Sequence, residues 1–299
     1  MSVLKNLLFL LVFSSSLFAS EMVNGKMGIL TDGITHASDR DYGIIFNLLL
    51  EKLSAQENIK SHLSYYNKAS FIIKDFRNHE LDYMAINPIF YLQNQEVLDP
   101  LTSYFWSVRK YNEKFQKIII VVRKGDAVSS ISDLKDKKVL IKKNNYIGEL
   151  VLDKAILEKA QVPSRYYIKK LEHVKSDLAA VLKVYFHQGD VALISENAFD
   201  LISEMNPAIK KNLVSIYHTE NLFMPIISLV HIKTSPQLLP KMKNILKHIH
   251  LSREGKNVFD FIKMQEIDIL DKKELIPLKN YYNEYLILQE KYGKFDEKR

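Results

Sequence analysis

Residues 115–157 read “FQKIIIVVRKGDAVSSISDLKDKKVLIKKNNYIGELVLDKAIL”, and this stretch decides the fold. It opens with a long β-branched run, which predicts a strand that is buried on both faces. A polar turn, a short helix and a second strand follow. The second strand ends in two lysines and two asparagines, and a helical pattern begins close to Gly148. This alternation predicts an α/β sheet with a hydrogen-bonding turn at a strand end.

The same alternation of strands and helices occurs in two separate parts of the chain. The first part runs from the predicted strand “KMGIL” to the predicted strand “LDYMAI”. The second part begins at residue 115, includes “RYYIKK” as a predicted strand, and ends with “MPIISLVHI”. The remaining tail has helical periodicity. The chain therefore predicts two α/β units closed by C-terminal helices.

The order of these units predicts that each lobe is discontinuous in sequence. We expect strands to cross between the lobes near residues 115–122 and 214–230. The predicted first lobe comprises residues 21–115 together with 226–299. The predicted second lobe comprises residues 116–225.

The N-terminus has the pattern of a secretory signal peptide. Lys5 precedes the apolar run “LLFLLVF”, and the small residues of “SSSLFAS” follow. The apolar run is too short to span a bilayer comfortably. We predict that residues 1–19 are a signal peptide that is cleaved near Ala19; the alternative is an uncleaved anchor.

Composition and charge restrict the function further. The chain of 299 residues has no cysteine, which excludes disulfides, thiolate metal sites and a lipid-modified cysteine. Export without disulfides indicates a bacterial periplasm. The formal net charge of +7 is spread over the chain and forms no arginine-rich helix, so we expect no nucleic-acid partner. A diffuse positive field favours the capture of small anions; the alternative is that most lysines form a solvated surface.

Several segments resemble one family of receptors. The most specific is “VRKGDAVSSISDLKDKKV” at residues 122–139; “LDYMAINPIFYLQ”, “GDVALISENAFD” and “MPIISLVHIKTSPQL” agree with it. They are similar to the periplasmic phosphate/phosphonate-binding (PhnD-like) solute-binding proteins of ABC transporters. The resemblance covers roughly residues 26–265. It implies an α/β, two-lobed type II periplasmic-binding-protein fold with two crossover strands, C-terminal helices and a ligand in the cleft.

The turn at residues 145–148 departs from the pattern of that family. Related receptors carry Ser-Thr-Ser-Gly there, and those hydroxyl and backbone N–H groups hold an oxyanion at a helix start. This chain keeps Gly148 but has Asn145, Tyr146 and Ile147 before it. The helix dipole and backbone donors remain, and the added bulk permits a larger, partly organic anion. We expect Gly148→Asp to weaken binding more than folding.

Candidate ligand-binding side chains follow predicted strand ends or begin predicted helices, where open α/β sheets bind ligands. Each has a structural alternative: Asn145 and Ser195 as helix caps, and Tyr91 as a tyrosine packed between helix and sheet. A second expectation is that Tyr91→Phe weakens binding slightly. The candidates are Tyr42, Asn87, Tyr91, Asn144, Asn145, Tyr146, Ile147, Gly148, Ser195 and Glu196.

Signatures of enzymes and metal sites are missing from the sequence. The nine glycines form no phosphate-binding or nucleophile motif, and no histidine pair has HExxH spacing. We therefore expect no catalysis, cofactor or metal. The sequence predicts a monomeric periplasmic solute-binding protein that captures a small anionic ligand for an ABC transporter permease. The alternative is a sensing module of the same fold that signals to a membrane sensor kinase or cyclase.

Overall fold

The computed structural model describes residues 22–31, 54, 57–110, 113–262 and 264–293. The predicted signal peptide and Tyr42 lie outside the described residues. The strands are β1 (Val23–Leu30), β2 (Ile59–Tyr66), β3 (Tyr83–Ile86), β4 (Thr102–Val108), β5 (Ile118–Arg123), β6 (Lys138–Lys142), β7 (Lys170–Val174), β8 (Val191–Ser195), β9 (Leu213–His218), β10 (Ile227–His231) and β11 (Ile267–Leu270).

Two sheets contain all of these strands, and their central parts are built alike. The first has the order β2–β1–β3–β10–β4–β11, and the second has the order β7–β6–β8–β5–β9. In each sheet three parallel strands stand beside one antiparallel strand, which is β10 in the first and β5 in the second. We call each sheet with its covering helices a lobe. The residue boundaries that we predict for the lobes stay a prediction.

The two crossing segments meet between the sheets. One leads from β4 to β5 and the other leads from β9 to β10. Within them, Gln116 N–H donates to the Phe223 carbonyl at 2.7 Å, and Phe223 N–H donates back at 3.2 Å. This antiparallel pair holds the two chain passages together at the hinge.

Helices cover the sheets and extend beyond them. They are α1 (Ala69–Arg77), α2 (Pro88–Gln93), α3 (Gln95–Leu98), α4 (Tyr146–Ala160), α5 (Ser164–Tyr167), α6 (Asp177–Tyr185), α7 (Glu196–Met205), α8 (Pro207–Asn212), α9 (Leu238–His248), α10 (Arg253–Ile262) and α11 (Ile276–Tyr292). Among the residues described, no helix combines the length and apolar character needed to cross a membrane.

Packing on both faces explains why the central strands are continuously apolar. All four residues of β3 are buried, as are all five of β8. Helix α1 covers one face of the first sheet with Ile72 and Phe76, and α9 contributes Leu238 to the other face. Burying such side chains contributes roughly 1.5–3 kcal/mol each. The α/β class predicted from the sequence is confirmed.

One predicted strand is wrong. The segment “RYYIKK” was expected to be extended, but Ser164–Tyr167 forms the short helix α5 and the strand β7 starts only at Lys170. Pro163 precedes this helix, and the Asp153 carboxylate accepts a hydrogen bond from the Ser164 N–H at 2.6 Å. A tertiary contact therefore overrides the β propensity of the two tyrosines.

A buried histidine in β10 links stability to pH. The Nδ1 atom of His231 accepts a hydrogen bond from the Lys233 N–H at 3.0 Å, and its ring stacks on His79 at 4.5 Å. The Nε2 atom is buried and has no hydrogen-bond partner among the described residues. Burial, with His79 and Lys233, lowers the pKa of His231, while Asp82 acts in the opposite direction.

We predict that the protein loses stability when the pH falls below the ordinary histidine range. The unfolded chain binds a proton at position 231 near pH 6.5, whereas the folded chain binds it only at lower pH. The free energy of unfolding should therefore fall as the pH drops from about 7 to 5. Urea denaturation at several pH values measures this slope. His231→Phe should flatten it, and His62→Phe, at an exposed position, should not; equal slopes for both variants would contradict the prediction.

Candidate functional site

A polar cavity of about 90 Å³ lies between the two lobes. Both lobes and both crossing segments contribute to its wall. The described residues that line it are Asn87, Lys110, Gln116, Ile118, Lys142, Asn144, Asn145, Ile147, Asp177, Ser195, Phe223, Met224, Pro225 and Met264. Five of the ten predicted ligand-binding residues are in this set, namely Asn87, Asn144, Asn145, Ile147 and Ser195.

Strand ends bring these residues together. Asn87 follows the last residue of β3, Lys142 is the last residue of β6, and Ser195 is the last residue of β8. In each lobe, the central strand has its two parallel neighbours on opposite sides, which is the position where open sheets leave a crevice. The lobes face each other across these crevices.

Three helix caps line the cavity and share one arrangement. The Asn87 side-chain oxygen accepts from the Ile89 N–H at 2.8 Å, and the Asn145 side-chain oxygen accepts from the Gly148 N–H at 3.0 Å. Ser195 Oγ is 3.4 Å from the Ala198 N–H. Each oxygen is therefore turned towards its own helix. The other polar groups of these side chains, amide NH₂ and hydroxyl hydrogens, are donors.

Two lysines add positive charge. Lys110 follows β4 in the first lobe and Lys142 ends β6 in the second, and both side chains are half-buried at the cavity. Burial lowers the pKa of both lysines, and the nearby Asp177 carboxylate opposes that shift. A desolvated ammonium group is stabilised by an anion placed beside it. The wall is thus rich in donors and cations, with one carboxylate among them.

The turn before α4 combines backbone and side-chain features. Asn144 has a φ of 60°, a left-handed conformation that asparagine tolerates better than most residues. Helix α4 then starts at Tyr146, and its first N–H groups have no intrahelical acceptor. The partial positive charge of this helix start faces the same cavity that Ile147 lines.

Tyr146 contacts the opposite lobe. Its ring centroid is 5.5 Å from that of Phe90 in α2, with the ring planes at 60°. The helices α2 and α4 follow the cavity-lining caps Asn87 and Asn145, so this aromatic pair joins the lobes directly beside the cleft.

Four of the described candidates are not among the residues that line the cavity: Tyr91, Tyr146, Gly148 and Glu196. Tyr91 is fully buried; its hydroxyl donates to Asp99 at 2.7 Å and its ring packs edge-on against Phe105 at 5.6 Å. This is the alternative of a tyrosine packed between helix and sheet, so no loss of binding through a ligand contact is expected from Tyr91→Phe. Glu196 begins α7 and pairs with Lys117 at 3.3 Å.

Gly148 serves the packing of α4 against the sheet. A Cβ atom there would lie 2.8 Å from Ile141 Cδ1 and 3.1 Å from Leu193 Cδ2, both in the core. It would also lie 2.9 Å from the amide nitrogen of Asn145. These close approaches argue against the expectation that Gly148→Asp weakens binding more than folding, because the carboxylate would enter an apolar interior; that expectation stays a prediction.

Sequence reasoning missed several cavity residues. Lys142 stood at a strand end next to the predicted turn, which was the usable signal. Asp177 begins a helix in the same way. Lys110 and the segment 223–225 belong to the crossing passages, and no local pattern marks them as facing the cleft. They line the cavity beside the place where Gln116 pairs with Phe223.

Other places in the described residues fit an anion less well. A cavity of about 130 Å³ lies inside the first lobe, and the described residues that line it are mostly aliphatic and aromatic, with Thr31, Ser54 and Ser228 among them and no charged side chain. No cluster of histidine and carboxylate side chains suited to a metal occurs among the residues searched.

We predict that Gly148→Ala destabilises the protein by about 1–3 kcal/mol, because the added methyl group overpacks the contact between α4 and the sheet. The free energy of unfolding from urea denaturation measures this. Lys143→Ala, at an exposed position in the preceding turn, is the control and should change it by less than about 0.5 kcal/mol. A Gly148→Ala variant as stable as the parent would show that the helix can shift away without cost.

Solved structures similar to this chain share its fold. A binding protein component of an ABC phosphonate transporter from Pseudomonas aeruginosa has a TM-score of 0.62 at 15% identity, over 93% of this chain and 91% of that one. XAC2383 from Xanthomonas citri, bound to ATP, has a TM-score of 0.64 at 13% identity, over 90% of this chain and 98% of that one. PhnD1 from Prochlorococcus marinus, in complex with methylphosphonate, has a TM-score of 0.58 at 17% identity, over 91% of this chain and 99% of that one. The predicted type II periplasmic-binding fold is confirmed.

Sequence comparison places the chain in a family. No curated protein sequence matches it. The family model described as “ABC transporter, phosphonate, periplasmic substrate-binding protein” matches residues 34–275, which is most of the chain. The chain therefore belongs to the family of periplasmic substrate-binding proteins of phosphonate ABC transporters.

Proposed function

We propose that this chain captures a small oxyanion, of the phosphonate, phosphate or organic-anion class, in the interlobe cleft. One observation carries the proposal: the side chains of three helix caps and two lysines line one cavity between the lobes. A phosphonate or phosphate offers oxygen acceptors, so it complements this wall. Hydrogen bonds from charged donors are the stronger ones in such a site.

The contributions of both lobes support a closure mechanism. Asn87 and Lys110 come from the first lobe, and Asn145, Lys142 and Ser195 come from the second. A ligand that bonds to both sets gains contacts only when the lobes are together, and closure is favoured by that difference. Asp177 supplies an acceptor for a hydroxyl or amino group on an organic anion.

The size of the cavity favours a small ligand. Its volume of about 90 Å³ is well below the roughly 300 Å³ at which pockets for drug-sized molecules begin. The Prochlorococcus marinus structure contains methylphosphonate, which is of suitable size, whereas the ATP bound to XAC2383 is much larger. We propose a ligand of methylphosphonate size, or a modestly larger organic anion.

Delivery to a membrane permease completes the proposed role. Residues 1–19 act as a cleaved signal peptide, and a monomeric mature protein starting near Ser20 carries the ligand through the periplasm. Membership in the transporter family supports a permease as the partner. The same match gives no support to the alternative of signalling to a sensor kinase or cyclase.

The test is calorimetric titration with methylphosphonate, inorganic phosphate, phosphite and small organic anions. We predict that Lys142→Met weakens binding of the best of these about tenfold to a hundredfold. That range corresponds to one charge-assisted hydrogen bond, roughly 1.5–3 kcal/mol. The size and shape of the side chain are nearly kept, so the fold should tolerate the change.

Lys143→Met is the matched control, since Lys143 is the next residue, carries the same charge and is exposed. It should bind as the parent does. If Lys142→Met also binds like the parent while remaining folded, the cavity is not the anion site. If the parent binds none of the anions, the proposed ligand class is wrong.

We further predict that Tyr146→Ala weakens anion binding about twofold to tenfold. The contact of Tyr146 with Phe90 crosses between the lobes, and aromatic pairs contribute roughly 0.5–1.5 kcal/mol beyond area burial. Losing it should make the closed arrangement less favourable. Titration measures the effect, with Tyr166→Ala, an exposed aromatic in α5, as the control. Unchanged affinity in Tyr146→Ala would show that the pair does not contribute to closure.

A further inference from the structure

We infer that helix α11 is a brace between the lobes, and that its attachments position the two site helices α2 and α4 without touching the ligand. The inference rests on the proposed site in the cleft. Helix α11 has 17 residues, which makes it about 26 Å long. It is attached to α2 near its start and to α4 near its end.

The attachment to the first lobe runs through Asp99. Lys279 Nζ lies 2.5 Å from Asp99 Oδ2, and the Tyr91 hydroxyl donates to Asp99 Oδ1 at 2.7 Å. Lys279 also lies over the Tyr91 ring, 5.4 Å from its centroid. Tyr91 belongs to α2, whose cap Asn87 lines the cleft. The start of α11 is thus fixed to the helix that carries the first-lobe half of the site.

The middle of α11 contacts the hinge. The Tyr281 ring packs edge-on against Phe223 with centroids 5.3 Å apart. Phe223 pairs with Gln116 in the crossing segments and lines the cavity. The ammonium group of Lys154, in α4, lies over the same Tyr281 ring, 4.5 Å from its centroid. Lys154 also forms an ion pair with Glu284 of α11 at 3.2 Å. A movement of the hinge therefore changes contacts of α11 directly.

The attachment to the second lobe runs through Asp153 of α4. Its Oδ2 atom accepts hydrogen bonds from the Tyr285 hydroxyl at 3.1 Å and from the Gln289 side-chain amide. Beyond the helix end, the Gly293 carbonyl accepts from Arg165 at 3.1 Å. Helix α4 begins with the cap Asn145 at the cleft. The last turns of α11 are thus fixed to the helix that carries the second-lobe half.

These attachments give the hinge a third constraint. The two paired crossing segments alone allow the lobes to rotate about the Gln116–Phe223 pair. Because α11 is stiff and held at both ends, a change in the interlobe angle must break or shear contacts at one end. The brace therefore favours the arrangement in which Asn87 and Asn145 line one cavity. Weakening it lowers the population of that arrangement, and the apparent affinity falls by the same fraction.

The test removes one attachment at a time. Tyr285→Phe with Gln289→Leu removes both donors from α11 to Asp153 while leaving its bond to Ser164 in place. Lys279→Met removes the opposite attachment and serves as the second variant if the first does not fold. Asn283→Ala, at an exposed position on the same helix, is the control.

The readout is the distance between the lobes, measured by pulsed electron spin resonance. The chain has no cysteine, so spin labels can be placed uniquely at Lys74→Cys and Lys210→Cys, which are exposed positions in the two lobes. In the ligand-free protein, each attachment variant should broaden the distance distribution relative to the parent and control. Calorimetry with methylphosphonate should show binding about 3- to 30-fold weaker.

The two measurements separate this inference from the proposed function. An unchanged distance distribution in both attachment variants would overturn the brace, whatever happens to affinity. A broadened distribution supports it. If the parent binds no methylphosphonate, phosphate or other anion tested, the proposed function fails, and the distance distribution alone decides the role of α11.

Discussion

The chain crosses twice between the lobes, and each crossing delivers one antiparallel strand to the sheet that it enters. The rest of the structure depends on this constraint. Strand β5 enters the second sheet after the chain leaves β4, and β10 returns to the first sheet from β9. Both passages meet in the Gln116–Phe223 pair. Because each exchanged strand lies beside a parallel trio, the strand ends β3, β6 and β8 face the space between the lobes. The cleft, its caps and its lysines follow from that topology.

Much of the fold could be predicted because the central strands are covered on both faces. Their sequences are nearly continuous apolar runs, such as those of β5 and β8, and such runs can be recognised without knowing the neighbouring strands. Strands β4 and β11 were not predicted. Strand β11 has four residues with mixed exposure and lies at the sheet edge, so neither length nor alternation marks it. The short helix α5 was mistaken for a strand because its conformation is set by Asp153, which lies eleven residues earlier.

The residues of the candidate site also fall into those that local sequence predicts and those that it does not. Asn87, Asn145 and Ser195 were predictable, since each follows or ends a recognisable strand and begins a helix. Lys110 and Phe223 were not, since their position depends on a crossing that no local sequence encodes. The resemblance to related receptors predicts a ligand contact for Tyr91, but its hydroxyl donates to Asp99 and its side chain lies outside the cavity wall. As with the short helix α5, a contact with a residue elsewhere in the chain gives Tyr91 a role that its local sequence does not indicate.

The two interpretations of the asparagine turn, helix cap or ligand contact, are not exclusive. A cap needs only the side-chain oxygen of Asn145, which accepts from the Gly148 N–H. This bond fixes the orientation of the amide, whose NH₂ group is a donor and lies 2.9 Å from the position that a Cβ atom on Gly148 would take. Asn87 does the same at α2. Where the family resemblance leads us to expect hydroxyl groups, this chain has an amide, which also carries a donor at the helix start. In the proposed anion site, the capping bond would hold that donor in place before the anion arrives and so lower the entropy lost on binding.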